Sequence, residues 1–263
     1  MLAEVAEGVF VRQSRFCLSN ATVITSDGRA LLVDPGIDGT DLDDLADDVA
    51  ALDVAVVAGF ATHPHWDHVL WHRRFGLDVP RYATTTCAAT ARQRLTALRD
   101  MTATQAPGAP LDLVGGLSPL PEPAEGVPWD GPGVRVVEHR GHAPGHAAIV
   151  VAGADLLVAG DMLSDVEIPL LDPRSADPAG DYLAGLDRLE SAASDAVAVV
   201  PGHGSVAYGD DISKRFAADR SYVTALQHGV DPADPRVGPQ AGYGTDWLPE
   251  AHERNTRLAR GGS

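Results

Sequence analysis

Four apolar stretches of this sequence are each followed by an aspartate or a histidine, and this pattern restricts the fold more than any other feature. Asp34 follows "RALLV", His142 follows "VRVVEHRG", Asp161 follows "LLVAG" and His203 follows "AVVPG". Short runs of apolar and β-branched residues bounded by turn residues are typical of buried strands. A rigid sheet holds the residues at its strand ends in place, and functional residues collect there. The pattern therefore predicts a sheet protein with its functional side chains at strand ends.

The predicted strands fall into two runs, and helical segments follow each run. Apolar spacing near the helical period predicts helices over 38–52, 87–105, 177–194 and 210–229. Asp177 is expected to cap the third helix, with Pro178 at its first position. Two sheets packed on each other, with helices outside, is the layer arrangement that buries all these apolar faces.

Two stretches lack such periodicity and are rich in proline and glycine. Residues 106–132 are expected to form a long irregular connection, and long loops in compact domains often cover sites. Residues 231–263 are expected to form a C-terminal extension with disordered last residues, and its arginines are expected in solvent; these are Arg254, Arg257 and Arg260. No break in composition marks a domain boundary, so residues 1–263 are predicted to form a single domain.

Composition excludes several classes of function. The formal net charge of −17 repels phosphate backbones, so nucleic acid is not expected as a partner. No apolar run has the length of about 18 residues that a membrane span requires, and the first residues lack a secretory signal. A cytoplasmic protein without membrane contact is therefore expected. Cys17 and Cys87 lie far apart in sequence, which predicts two reduced thiols instead of a disulfide or thiolate metal site.

The segment "HPHWDH", residues 63–68, holds three histidines and one aspartate. Pro64 disfavours the helical region for His63 and favours an extended backbone. In an extended segment, side chains two positions apart point the same way, so His63 and His65 can reach one metal ion. Asp67 and His68 follow a bend and can point toward a second ion.

The residue types indicate which metal the segment would hold. Imidazole and carboxylate ligands suit zinc, iron and manganese, and zinc is favoured where nitrogen donors dominate. Structural zinc sites usually include cysteines, and no cysteine lies near this segment. The composition of the segment therefore favours an open, reactive site.

Five motifs in order resemble those of the metallo-β-lactamase superfamily. They are "VDPG", "HPHWDH", "GHAPGH", "AGD" and "PGHG", and they span residues 34 to 203. The six-residue motif is highly specific, and the other four are specific only together. The resemblance implies an α+β fold, a four-layer αββα sandwich, which fits the two runs of strands and helices.

The resemblance also implies a site with two metal ions, most simply two Zn²⁺, with iron or manganese as alternatives. The first ion would be bound by His63, His65 and His142, the second by Asp67, His68 and His203, and both by Asp161. Asp67 would in addition orient the nucleophile or carry its proton. Asp34 would be a structural residue beneath the site, and His146 would support a ligand or line the pocket.

The substrate pocket is less clearly indicated. Trp66 and Trp71 are either core anchors or an apolar pocket wall, because aromatic residues serve both purposes. His72 lies one helical turn beyond His68 and is placed at the pocket edge. Tyr208 follows the last motif and could donate a hydrogen bond to an oxyanion. The loop 106–132 and the segment that follows Asp161 are expected to shape the pocket.

The leading functional hypothesis is a dinuclear zinc hydrolase that cleaves a carboxyl ester, a thioester or a lactone in a small molecule. In lactam-cleaving members of the family a cysteine usually replaces Asp161, so the chain is more similar to the glyoxalase II and lactonase branches. The family resemblance implies a nucleophilic hydroxide held between the two ions. Three alternatives stay open: a mononuclear iron oxygenase similar to persulfide dioxygenases, a lactam hydrolase, and a non-catalytic binding protein. The sequence leaves the oligomeric state undetermined.

Overall fold

Two β-sheets packed face to face form the centre of the computed structural model, which describes residues 1–122, 126–238 and 241–261. The first sheet contains seven strands that lie in chain order. They are β1 (Ala3–Ala6), β2 (Val9–Gln13), β3 (Asn20–Ser26), β4 (Arg29–Val33), β5 (Ala55–Phe60), β6 (Arg81–Ala83) and β7 (Ser118–Pro119). Strands β1 to β4 pair antiparallel, and β4 to β7 pair parallel.

The second sheet contains five strands in the order β12-β11-β10-β9-β8. They are β8 (Val134–His139), β9 (His146–Val151), β10 (Leu156–Gly160), β11 (Ala198–Pro201) and β12 (Ala207–Tyr208). Only β10 and β11 pair in parallel. That pair needs a crossover connection, and the helix between the two strands supplies it.

Within the described residues, six α-helices cover the outer faces of the two sheets. Helices α1 (Gly39–Ala51), α2 (Thr85–Gln93) and α3 (Leu95–Gln105) share a core with the first sheet. Helices α4 (Pro178–Ala192), α5 (Asp210–Gln227) and α6 (Leu248–Ala259) share a core with the second. Short 3₁₀ turns lie at Arg73–Phe75 and Leu111–Leu113. A third core of side chains such as Ile24, Phe60, Ile149 and Val200 fills the space between the sheets. The predicted α+β fold, a four-layer αββα sandwich, is confirmed.

Local sequence chemistry explains how several elements begin. The Asp38 side chain accepts a hydrogen bond from the Asp41 backbone N–H and caps α1. Asp177 caps α4 in the same way through Gly180, and Pro178 occupies the first turn, as predicted. Asp27 and Gly28 both have positive φ in the turn between β3 and β4, which is typical of a tight hairpin.

The single helix predicted over 87–105 is instead two helices separated at Arg94. Arg94 has a φ of −104° and a ψ of 13°, outside the helical range. The break lets Leu95 and Leu98 pack against Gly115 in the following loop. Periodicity within the segment does not show this break, because the contact that favours it lies outside the segment.

The prediction of an irregular C-terminal extension is wrong for residues 248–259, which form α6. Leu248 and Ala251 are buried against the second sheet's helical layer. Asn255 is fully buried, and its side-chain amide donates to the Pro169 carbonyl at 2.6 Å. The helix was missed because most of its surface is polar and few apolar residues mark its buried face. The expected disorder at the last residues concerns 262–263, which lie outside the described residues.

The loop 106–132 is largely irregular, as expected, but contains the turn Leu111–Leu113 and strand β7. Its residues 123–125 lie outside the described residues. Among the helices of the described residues, none has the length and apolar composition that a membrane crossing requires.

Candidate metal centre

The seven residues proposed as metal ligands lie together at the ends of strands from both sheets. His63, His65, Asp67 and His68 come after β5 in an irregular segment. The other three follow strands of the second sheet: His142 comes after β8, Asp161 after β10 and His203 after β11. The two runs of strands in the sequence thus each supply about half of one cluster of side chains.

One group of donor atoms consists of three imidazole nitrogens and one carboxylate oxygen. The Nδ1 atom of His65 lies 3.0 Å from Nε2 of His63 and 3.0 Å from Nε2 of His142. Oδ2 of Asp161 lies 3.3 Å from Nε2 of His63 and 3.4 Å from Nε2 of His142. All four atoms converge on one point.

A second group lies on the other side of Asp161. Oδ2 of Asp67 is 3.3 Å from Nε2 of His203 and 3.6 Å from Nε2 of His68. Oδ1 of Asp161 is 3.1 Å from Nε2 of His68 and 3.6 Å from Nε2 of His203. The Asp161 carboxylate therefore presents one oxygen to each group.

The spacing of these donors fits metal ions. Ligands about 2.0–2.1 Å from a tetrahedral zinc lie roughly 3.3 Å from one another, which is close to the spacings in both groups. Among the described residues, Nε2 of His68 and Oδ1 of Asp161 are buried polar atoms without a hydrogen-bond partner. Buried polar atoms without partners are rare and costly, and a bound cation would satisfy both. The residues therefore fit the divalent metal that such a donor set requires.

Hydrogen bonds fix which ring nitrogen faces the cluster in three of its histidines. Nδ1 of His68 lies 2.9 Å from Oδ2 of Asp34, and Nδ1 of His142 lies 3.0 Å from the Leu170 carbonyl. Nδ1 of His203 lies 2.8 Å from the Cys17 carbonyl. Because these partners accept, each Nδ1 carries a proton and Nε2 is the nitrogen of each ring that faces the cluster, where the neutral ring could bind a metal.

Asp34 lies beside the cluster and forms hydrogen bonds with Thr62 and His68. Its side chain accepts hydrogen bonds from the Thr62 backbone N–H at 2.8 Å and the Thr62 hydroxyl at 2.6 Å, besides that from His68. The Thr62 oxygen in turn lies 3.0 Å from Nδ1 of His63. Asp34 has a φ of +48°, a conformation that aspartate tolerates better than most residues.

His146 is fully buried behind the cluster and does not belong to either donor group. Its Nε2 accepts a hydrogen bond from the Asp161 backbone N–H at 3.2 Å, and its Nδ1 lies 3.1 Å from Nε2 of His139. Gly160 makes this contact feasible, because a Cβ there would lie 2.2 Å from His146 Nε2. His146 thus holds the backbone that carries Asp161.

Electrostatics divide the histidines of the cluster into two kinds. Burial, followed by the neighbouring imidazoles, lowers the pKa of His65 well below its usual value. Burial likewise lowers the pKa of His142 to about 3, so both rings are neutral at pH 7. Burial opposes the charged form of His68 and His203 too, but carboxylates outweigh it: the pKa of His68 is raised well above its usual value and that of His203 is raised to about 10.

Two cavities border the cluster, and His65 and Trp66 line both of them. The first has a volume of 630 Å³ and reaches the cluster at His65, Asp67, Asp161 and His203. The second has a volume of 570 Å³ and reaches it at His65 and His142. Both volumes lie within the range of small-molecule sites. The two cavities share the side chains of His65, Trp66, Met101 and Leu170.

Of the four residues predicted to line the substrate pocket, only Trp66 borders these two cavities. Trp71 is 3% exposed and lies against Gly59 and Phe75 in the core outside the first sheet. His72 accepts a hydrogen bond from the Arg74 backbone and pairs with Asp43. The pocket role predicted for Trp71 and His72 is therefore not what the structure shows, because the chain turns away from the cluster after His68.

Tyr208 does not border either cavity and lies on β12, about half exposed. It follows the last motif in sequence, but β12 pairs antiparallel with β11 and leads away from the strand end that carries His203. A role in stabilising an oxyanion does not fit this position.

Several cavity residues were missed by sequence reasoning. Glu167 is buried, and its Oε1 lies 3.8 Å from Nδ1 of His203 and accepts a hydrogen bond from the Tyr243 hydroxyl at 3.2 Å. Burial raises the pKa of Glu167 to about 7. Trp247 borders the first cavity and Arg254 the second. An acid inside the apolar segment after Asp161 was a usable signal for Glu167, whereas nothing in the C-terminal sequence marked the other three.

Comparisons with known proteins agree with this geometry. The model of the metallo-beta-lactamase superfamily matches residues 14–203. No curated protein matches the sequence at a significant level.

Solved structures show the same fold at low sequence identity. A beta-lactamase domain protein from Burkholderia ambifaria is 22% identical with a TM-score of 0.62, over 87% of this chain and 78% of that one. A metallo-beta-lactamase family protein from Thermus thermophilus is 22% identical with a TM-score of 0.66, over 86% and 82%. The stereoselective inverting sec-alkylsulfatase from Pseudomonas sp. is 20% identical with a TM-score of 0.67, over 86% of this chain but 42% of that one.

Proposed function

The chain belongs to the metallo-beta-lactamase superfamily, and we propose that it is a metal-dependent hydrolase that cleaves a carboxyl ester, a thioester or a lactone in a small molecule. Its residues form two donor groups, each able to hold a divalent cation. Because imidazole nitrogens dominate these groups, we propose zinc as the metal, and iron or manganese accept the same donors.

The position of Asp161 is the observation that carries the proposal. One of its carboxylate oxygens faces each donor group, within 3.1–3.6 Å of the four nearest histidine nitrogens. We assign it to both ions, with His63, His65 and His142 on the first and Asp67, His68 and His203 on the second. A residue shared in this way favours a dinuclear site over a single ion.

Bound there, two ions would supply a Lewis acid for the carbonyl group and a water of lowered pKa. The chain's own residues would do the rest. Asp67 borders the first cavity beside both ligand histidines, where its carboxylate can orient the attacking water and accept its proton. Trp66, Met101 and Leu170 supply apolar surface to both cavities, against which an apolar part of the substrate can pack.

The alternatives fit the residues less well. A mononuclear iron oxygenase that uses two histidines and one aspartate would leave the other donors of the cluster without a role. Asp161 stands where lactam-cleaving relatives usually have cysteine. The sec-alkylsulfatase resemblance rests on 20% identity and supports the fold alone.

The test combines metal analysis with a hydrolysis screen. Protein purified without chelator should contain close to two ions per chain, and the zinc-loaded form should hydrolyse at least one ester, thioester or lactone. Oxygen uptake with a persulfide, or turnover of a chromogenic lactam without any ester activity, would instead support one of the alternatives. Metal content well below two ions that zinc does not restore would count against the dinuclear site.

Asp161→Asn should lower turnover by about a thousandfold or more, because it removes the charged group shared by both ions. Metal content should fall toward one ion per chain or less. Asp155→Asn is the matched control, since Asp155 lies in the turn before the same strand with a φ of +44°, which asparagine tolerates. Equal turnover in the two variants would contradict the role of Asp161.

A further inference from the structure

The second cavity beside the metal cluster is lined by arginines, in contrast with the rest of this acidic protein. Arg94, Arg174 and Arg254 all border it. They come from three separate parts of the fold: the junction of α2 and α3, the loop after Asp161, and α6. In a chain with a formal net charge of −17, three arginines at one cavity create a local field of the opposite sign.

The acidic groups that face this cavity leave part of its positive charge unneutralised. Among the residues that the structure describes, Asp172 is the only acid that borders it, and its Oδ1 accepts hydrogen bonds from the backbone N–H of Arg174 at 3.0 Å and from Nε of the same residue at 3.2 Å. Within the described part of the chain, Arg94 and Arg254 form no ion pair. Two guanidinium groups therefore stay available to a ligand.

The first cavity has the opposite character. In the described ranges of the chain, it is bordered by the acids Asp67, Asp161, Glu167 and Asp246 and by no arginine or lysine. The remainder of its wall includes Phe16, Trp66, Met101 and Trp247. Because Asp67 and Asp161 are assigned to the two ions, Glu167 and Asp246 are the acids of this wall that remain outside the donor groups. The described part of the wall offers no arginine or lysine side chain to a negative group on a ligand, whereas its apolar side chains would accept an apolar group.

The donor cluster borders both cavities. His65 borders both of them, His142 borders only the second, and His203 borders only the first. A substrate whose scissile carbonyl reaches the cluster can therefore extend into both cavities, with Trp66 and Leu170 along its length. The two ends of such a substrate would meet different electrostatic environments.

We infer that the substrate is an ester, thioester or lactone that carries a carboxylate, with the carboxylate bound by Arg94, Arg174 and Arg254 in the second cavity and an apolar group in the first. This inference rests on the proposed function. The planar guanidinium fork matches a carboxylate in geometry and charge. Asp172 engages Arg174 and leaves Arg94 and Arg254 for the ligand, so a phosphate monoester is the competing ligand that the test must separate from a carboxylate.

The test compares esters that differ only in charge. In 4-nitrophenyl hydrogen succinate and 4-nitrophenyl hydrogen glutarate the carboxylate is on the acyl side, and in 4-acetoxybenzoate it is on the alcohol side. The neutral partners carry an isopropyl group or a methyl ester in its place. The zinc-loaded protein should prefer at least one anionic ester by about tenfold or more in kcat/KM, the effect of one charge-assisted contact. A preference for the neutral partner in every pair, or for a matched phosphate monoester, would overturn the inference.

Variants of the arginines locate the effect. Arg254→Gln and Arg94→Gln should each reduce the preference for the anionic ester by about tenfold, mainly through KM. Arg254→Lys keeps the positive charge and should retain part of the preference for the anionic ester that Arg254→Gln loses. Arg257→Gln and Arg92→Gln are matched controls on the same helices, exposed and outside both cavities, and should keep the wild-type preference. Equal effects in the cavity variants and the controls would contradict the assignment.

A binding measurement separates this inference from the proposed function. N-(4-nitrophenyl)succinamic acid is the amide analogue of the succinate ester, and its binding to metal-free protein can be followed by ligand NMR line broadening. It should bind more tightly than its neutral isopropyl counterpart, and Arg254→Gln should remove the difference. If no ester is cleaved but the anionic amide binds more tightly than its neutral counterpart, the proposed reaction is wrong and the anion site is supported. If esters are cleaved without any charge preference and the two amides bind equally, the anion site is wrong and the proposed reaction is supported.

Discussion

The metal-facing residues and the residues that wall the two cavities are held in place by different means. Each side chain of the two donor groups follows a strand, is buried or partly buried, and in most cases is fixed by a second hydrogen bond, as His68 is by Asp34 and His203 by the Cys17 carbonyl. The cavity walls come from helices and loops, and part of them, Tyr243 to Arg254, lies beyond residue 203, where the match to the family model ends.

This difference indicates which properties of the protein each region controls. Metal binding depends on distances of about 3 Å, which the two sheets and their hydrogen bonds set. Substrate choice depends on which side chains the outer elements bring over the cluster. Side chains that line the cavities can therefore be replaced without altering the donor groups, provided that the helices and loops that carry them stay packed on the sheets.

Arg236 connects the segment after α5 to the loop that follows β10 and to α5 itself. Its replacement should have the largest effect on stability. Its guanidinium donates to the carbonyls of Ser164 and Glu167, each at 3.0 Å, and to Oδ1 of Asp219 at 2.7 Å. Asp219 is 1% exposed. Arg236→Met would leave that carboxylate buried without its cation, so the free energy of unfolding should fall by about 3–5 kcal/mol. Urea denaturation measures this change.

The control for this prediction is Arg220→Gln on α5. Arg220 also pairs with two acids, Asp187 and Glu190, each at 2.7 Å, but the pair lies at the surface. Arg220→Gln should lower the free energy of unfolding by no more than about 1 kcal/mol. A loss for Arg236→Met as small as that of the control would mean that the C-terminal segment is attached mainly by other contacts.

The sequence was sufficient to indicate the side chains of the two donor groups, because several follow short apolar runs and all lie in motifs that resemble those of the family. Asp34, Asp161 and His203 each follow a short apolar run. Residues at the same edge of a sheet lie near one another because the strands that carry them are paired. Two packed sheets then bring His142 and the "HPHWDH" segment together. The αββα layers followed from the same runs of strands and helices.

The cavity walls could not be predicted in the same way, because they depend on tertiary packing. Trp71 is only five residues beyond Trp66, yet it packs in a core while Trp66 borders both cavities. Helix α6 has few apolar residues, and its contact with the molecule depends partly on the buried amide of Asn255. No spacing rule links Arg254 to Arg94, which lies on the other side of the second cavity.

Asp34→Asn tests whether the metal site depends on its supporting hydrogen bonds as strongly as the comparison implies. Three donors, two from Thr62 and one from His68, face the Asp34 carboxylate, and an amide would turn an N–H₂ group toward one of them. Zinc affinity should fall by about 10- to 100-fold, as for other partners of metal-binding histidines. Competition with a chromophoric chelator measures it.

Asp27→Asn controls for the backbone in this experiment. Asp27 also has a positive φ, +47°, but lies in the exposed hairpin turn away from the cluster. The zinc affinity of the Asp27→Asn variant should equal that of the wild type. Equal affinities in both variants would show that strand positions alone hold the metal-facing residues.

Trp247→Leu should have the smallest effect and should separate the two regions most clearly. Trp247 borders the first cavity and packs edge-on against Tyr243, with ring centres 6.3 Å apart. Removing part of this apolar wall should raise KM for an ester with an apolar group by about five- to tenfold, because roughly 50 Å² of buried contact is lost. Zinc content and kcat should stay close to the wild-type values, since no metal-facing residue is touched. Trp129→Leu removes a similar ring from a loop outside both cavities and should leave KM unchanged. A fall in kcat or zinc content in Trp247→Leu would show that the walls also position the metal-facing residues, so that the two regions are not independent.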